Sequence, residues 1–152
     1  MHVALFARTA LIAAALVIPA ACSSGDRSTE PIVAAAPSGS SPTSGGVRVV
    51  SPDEAAAITA DPPADLVVLD VRTPAEYAEG HLGDAIVLDF YEPDFADRLA
   101  QLDRDVPYVL YCRSGNRSGQ TREMMAELGF TDVADVDGGI LAWADAGGPI
   151  DR

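Results

Sequence analysis

Two short stretches limit what this chain can fold into more than any other feature. They are "LVVLD" (66–70) and "PYVLY" (107–111). Each is a continuous apolar run with no polar residue in alternation. A strand with one wet face alternates, whereas an unbroken run is buried on both faces, as in a parallel sheet covered by helices. Helix start and stop signals bracket both runs. Ser51, Pro52 and Glu54 supply an N-cap, a first-turn proline and a capping box, and "DPP" (61–63) ends that helix. Thr73, Pro74 and Glu76 repeat the grammar, and Gly80 stops it.

The remaining segments continue the alternation. "VRVV" (47–50), "AIVLDF" (85–90) and "DVADV" (132–136) read as further strands. "DFADRLAQL" (94–102) places Phe95, Leu99 and Leu102 on one helical face. "SGQTREMMAELG" (118–129) reads as a helix closed by Gly129, and "ILAWADAG" (140–147) as a last short one. Strands alternating with helices predict an α/β domain over 47–152, with a mostly parallel sheet of about five strands and helices on both faces.

Ahead of that domain the composition changes. Arg8 precedes a short apolar run, Thr9 to Ala21, too short to span a bilayer, and the reading is an export signal over 1–21. "VIPAAC" closes it, and small residues before Cys22 resemble the lipobox of bacterial lipoproteins, although Pro19 stands where leucine is usual. Lipidation of Cys22 would anchor the chain to the outer face of the cytoplasmic membrane; the alternative is an ordinary cleaved signal with Cys22 incidental. Residues 22–46 are rich in Ser, Gly, Pro and Ala, without apolar period, and are expected to form a disordered tether. Such a chain spans roughly 25–30 Å root-mean-square.

The net charge is −13, from ten arginines, no lysine and twenty-three acids. Nucleic acid and anionic lipid would be repelled as main partners. Two histidines and two cysteines, far apart, offer no metal-ligand spacing, and the sequence calls for no cofactor. Nothing in it demands more than a monomer.

Against that acidic background, "CRSGNRS" (112–118) follows a buried strand and precedes a helix. Ligands of open α/β sheets sit beyond the carboxyl ends of strands, beside helix N-termini. Gly115 and Asn116 can turn successive N–H groups inward as an anion nest, and the helix entrance adds partial positive charge. Arg113 and Arg117 add whole charges. All of this favours thiolate over thiol and predicts a lowered pKa for Cys112. A buried structural cysteine is the plain alternative, but it would need neither the arginines nor the glycine.

The loop resembles the active-site loop of single-domain rhodaneses, the thiosulfate-type sulfurtransferases. "LDVRTPAEYAEGHL" (69–82) and "DGGILAW" (137–143) resemble that family's N-terminal and C-terminal signatures, in order. One departure is "GHLGDA" (80–85), where Asp84 takes the place usually held by glycine. The resemblance implies a rhodanese-like fold and a persulfide cycle. Cys112 would take sulfur from a sulfane donor and pass it to cyanide or a small thiol, with Arg113, Ser114, Gly115, Asn116 and Arg117 lining the cradle. Four residues separate Cys112 from Arg117, where related phosphatases and arsenate reductases have five, which disfavours their chemistry. Two other readings are a non-catalytic module of the same fold and a thiol redox sensor, the latter weakened by the lack of a second thiol in the domain.

Other residues receive structural readings. Asp70 and Arg72 are expected to bridge at a strand end, His81 to sit in a turn, and Trp143 to pack in the core. Arg122 is expected on a solvated helix face, and Met124 and Met125 at or beside the core.

Overall fold

A computed structural model describes residues 45–152. The expected signal, Cys22 and nearly all of the expected tether lie outside them. The last tether residue does not follow expectation. Gly46 opens strand β1 (Gly46–Val50), its N–H donating to the Thr131 carbonyl at 2.7 Å.

Four more strands follow: β2 (Val67–Asp70), β3 (Ile86–Val87), β4 (Tyr108–Tyr111) and β5 (Asp132–Val136). They form one sheet in the order β1-β5-β4-β2-β3, with every pairing parallel. β4 lies at the centre, and all four of its residues are buried, as its unbroken apolar run requires.

Helices cover both faces. Helix α1 (Pro52–Ala60), α2 (Pro74–Glu79) and α5 (Gly139–Asp145) lie on one side, where Ala55, Tyr77, Ile140 and Trp143 pack with Val109, Tyr111 and Val136. On the other side lie α3 (Phe95–Ala100) and α4 (Asn116–Leu128), where Phe95, Leu99 and Met125 pack with Leu69, Leu110 and Val133. Fully burying a side chain of this size contributes about 1.5–3 kcal/mol, so both helical layers stabilise the sheet between them.

Three local expectations are corrected. At α1 the Ser51 hydroxyl accepts the Glu54 N–H at 3.2 Å, but the Glu54 carboxylate turns towards Arg48 at 4.0 Å, so the box is half made. At α2 the box is complete through Thr73 and Glu76. The strand expected over 85–90 shrinks to two residues: Leu88 N–H still bonds to the Asp70 carbonyl at 2.9 Å, and then Asp89 turns the chain by accepting the Tyr91 N–H. Helix α4 begins at Asn116 rather than Ser118, so Asn116 and Arg117 form its first turn.

Candidate active site

The sulfur of Cys112 lies one residue beyond the central strand. Its position is fixed from behind by α5, whose Ile140 and Leu141 N–H groups donate to the Cys112 and Arg113 carbonyls at 2.9 and 3.2 Å. Gly139 makes that contact possible, because a methyl group there would strike the Cys112 carbonyl. From the front, Gly115 takes a left-handed φ of 91°, which turns its N–H onto the sulfur at 3.2 Å. The positive φ belongs to Gly115 alone; Asn116 is already helical, so the expected two-residue nest is a one-residue turn feeding a helix.

Helix α4 has no side chain capping its N-terminus. The sulfur occupies that place. Burial pushes the Cys112 thiol up, but the Ser118 N–H, the Ser118 hydroxyl and the Ser114 and Gly115 N–H groups outweigh it, and the net shift is downward from 9.0. Backbone amides therefore stabilise the anion, with the arginines secondary to them. The side chain is only 1% exposed, yet it forms the floor of a cavity of about 320 Å³.

The mouth of that cavity is polar. Arg113 is exposed and makes no ion pair with any described residue. Asn116, also exposed, holds Gln120 through its side-chain oxygen at 3.1 Å. Arg117, expected to be free for a substrate, is engaged: both its terminal nitrogens grip the Glu76 carboxylate, at 2.8 and 2.7 Å. That hydrogen bonding holds the Glu76 carboxyl down at about 2 and raises Arg117. The Tyr91 ring sits 5.5 Å from the same guanidinium and lines the cavity.

Glu76 and Tyr91 are site residues that the sequence reading missed. Glu76 was legible only as a helix cap, a role it also fills; Tyr91 gave no signal. Arg122 was read as solvated, but its Nη1 lies 3.2 Å from the buried Asp135 carboxylate, because α4 is turned to lay that side chain over β5. Asp70 and Arg72 form the expected bridge: Arg72 Nε and Nη2 reach the carboxylate at 2.9 and 2.6 Å, and Nη2 also reaches the Gly80 carbonyl. His81 stacks on Tyr77 at 3.8 Å, and Trp143 is buried with its N–H on the Pro149 carbonyl.

A fully parallel α/β sheet thus carries a cysteine at the end of its central strand, with the N-terminus of a helix aimed at the sulfur. The sequence comparisons narrow the class. The Rhodanese-like domain family matches residues 51–146, and the chain belongs to that family. A sulfurtransferase of Allochromatium vinosum is 40% identical over 86 residues, covering 57% of this chain and 78% of its relative. The thiosulfate sulfurtransferase GlpE of Pseudomonas entomophila is 35% identical over 94 residues, covering 62% and 82%. Among solved structures, a rhodanese-related protein from Thermoplasma volcanium is similar with a TM-score of 0.60 and 29% identity, over 68% of this chain and 97% of that one. A Rhodopseudomonas palustris protein described as a possible tyrosine phosphatase is similar with a TM-score of 0.57 and 28% identity, over 68% and 84%. The fold expectation is met, and membership of a sulfurtransferase family is shown.

Proposed function

We propose that this protein moves sulfane sulfur from a small anionic donor, thiosulfate by preference, to a thiophilic acceptor through a persulfide on Cys112. One observation carries the reading: the sulfur sits at a cavity floor with a backbone N–H at 3.2 Å and further N–H groups lowering its pKa. An ionised thiol needs no base, and inward amides stabilise a bound sulfur anion as an oxyanion hole stabilises an alkoxide.

The Cys112 thiolate attacks the outer sulfur of thiosulfate, forming a new S–S bond while the old one breaks and sulfite leaves with the electron pair. The enzyme is left as Cys112–S–S⁻. Cyanide or a thiolate then takes the outer sulfur, and its bond to Cys112 breaks to restore the thiolate. Arg113, unpaired among the described residues, is suited to draw the donor in. Arg117, held by Glu76, contributes a fixed positive wall rather than a mobile clamp.

Intact-mass measurement tests this. After thiosulfate, the full chain should gain one sulfur, lose it on adding cyanide, and gain none as Cys112→Ser. A chain that gains no sulfur from any sulfane donor but binds a partner protein would be a non-catalytic module. Hydrolysis of an aryl phosphate without sulfur uptake would instead place it with phosphatases, against the four-residue spacing of Cys112 and Arg117.

A further inference from the structure

Asp135 lies in the buried stretch Val133–Val136 of strand β5, and its side chain is buried on the α4 side of the sheet. Its register partners, Val49 on β1 and Leu110 on β4, are apolar. One carboxylate oxygen takes the Arg122 hydrogen bond at 3.2 Å; the other has no partner among the described residues. In the first turn of α4 above it, Ser118 is wholly buried, and its hydroxyl also has no partner in bonding geometry. Leaving such groups unsatisfied costs about 1–3 kcal/mol each. Arg122, which bonds Asp135, lies one turn beyond Ser118 on α4, so the Ser118 hydroxyl lies over the same strand as the unpaired carboxylate oxygen; on its other side Ser118 is among the groups that lower the Cys112 pKa. A serine hydroxyl carries one hydrogen and cannot serve both.

We propose that Asp135 is a positioning residue for the reactive sulfur, competing with Cys112 for the hydrogen of the Ser118 hydroxyl and so setting how firmly the sulfur anion is held. The inference rests on Cys112 being the sulfur carrier. When Asp135 is protonated it donates to Ser118 Oγ, and the Ser118 O–H turns to the sulfur. When Asp135 is ionised the O–H turns to the carboxylate, so the sulfur loses a donor and gains a negative neighbour. The charged groups facing Asp135 are Arg122 from α4 and Asp137 from the turn after β5; its neighbours on β1 and β4 carry none. Burial pushes its pKa up to about 6, with Ser118 and Arg122 opposing and Asp137 adding.

The test is a pH titration of thiolate ultraviolet absorbance in the full chain, taken as the difference from Cys112→Ser in each background. Wild type should titrate more broadly than a single proton. Asp135→Asn should sharpen the curve and strengthen the thiol's acidity by about three- to tenfold, a hydrogen bond's worth. Ser118→Ala should weaken the acidity, and adding Asp135→Asn to it should raise it by clearly less than Asp135→Asn does alone, because only the negative neighbour is then removed. Equal shifts from Asp135→Asn in both backgrounds, or no shift, would overturn the proposal, since a merely structural carboxylate predicts one of these. If Asp135→Asn does not fold, Arg122→Gln replaces it: removing the guanidinium should move the lower inflection to higher pH, and an unmoved inflection overturns the proposal. No sulfur donor is used, so failure of sulfur transfer and failure of this coupling are seen separately.

Discussion

Strands β2 and β4 are neighbours in the sheet and end on the same edge, but the two ends are built in opposite ways. At the end of β2 every polar group is matched. Asp70 receives the Arg72 backbone N–H at 2.9 Å as well as its guanidinium, Arg72 also reaches the Gly80 carbonyl, and its charge lies 5.4 Å from the Tyr111 ring. The Tyr111 hydroxyl in turn accepts the Leu82 N–H at 3.2 Å. At the end of β4 the matching is withheld: donors converge on one sulfur, a helix lacks its cap, and the Ser118 hydroxyl has no bonded partner among the described residues. A rigid, satisfied neighbour allows the reactive end to keep donors in waiting for an anion, because the loop cannot collapse to satisfy them itself.

Breaking the matched end should have the largest effect. Arg72→Leu leaves Asp70 buried without its counter-charge and should lower stability in urea by about 3–5 kcal/mol. A loss under about 1 kcal/mol would mean that the pair is no support for the edge. Glu76 lies between the two ends, capping α2 and gripping Arg117, so Glu76→Gln sharpens the contrast. It should cost about 1 kcal/mol at neutral pH through the lost ion pair with Arg117, since Gln keeps the capping contact to the Thr73 N–H. The folded-state pKa of Glu76 is depressed from 4.5 to about 2, so its contribution is complete above 4.5 and disappears as pH falls towards 2. Urea melts of the two chains should therefore converge over that interval; a constant gap would show that the carboxylate's charge is irrelevant. The smallest effect belongs to the turn beside Leu82. Asp84 holds a left-handed φ of 54°, and Asp84→Gly should raise stability by less than about 1 kcal/mol in thermal melts. A drop would show that the aspartate side chain earns its place by a contact.

Much of this was readable in the amino-acid order because backbone chemistry decided it. The unbroken runs at 66–70 and 107–111 gave the buried strands, and Thr73, Pro74 and Glu76 gave α2 its start. The short β3 was not readable, because "AIVLDF" has strand composition and only the turn at Asp89 cuts it off. The start of α4 was misplaced because Asn and Arg have no strong preference for or against a first turn, whereas the left-handed Gly115 that sets the boundary shows only in three dimensions. The partners of Arg117 and Arg122 depend on how α4 is rotated against α2 and β5, which no local pattern encodes. Asp135 did leave a trace: an acid between Ala134 and Val136, inside a strand expected to be buried, needs a reason.

Helix α4 is plugged at its entrance by the very atom on which the proposed chemistry acts. Lengthening that atom by one sulfur, stripping it again or blocking it with a reagent exchanges one stopper for another on a thirteen-residue rod. Heat tolerance of the whole domain would then follow the occupancy of a single site, and a simple melting curve would become a gauge of how much cargo the protein carries.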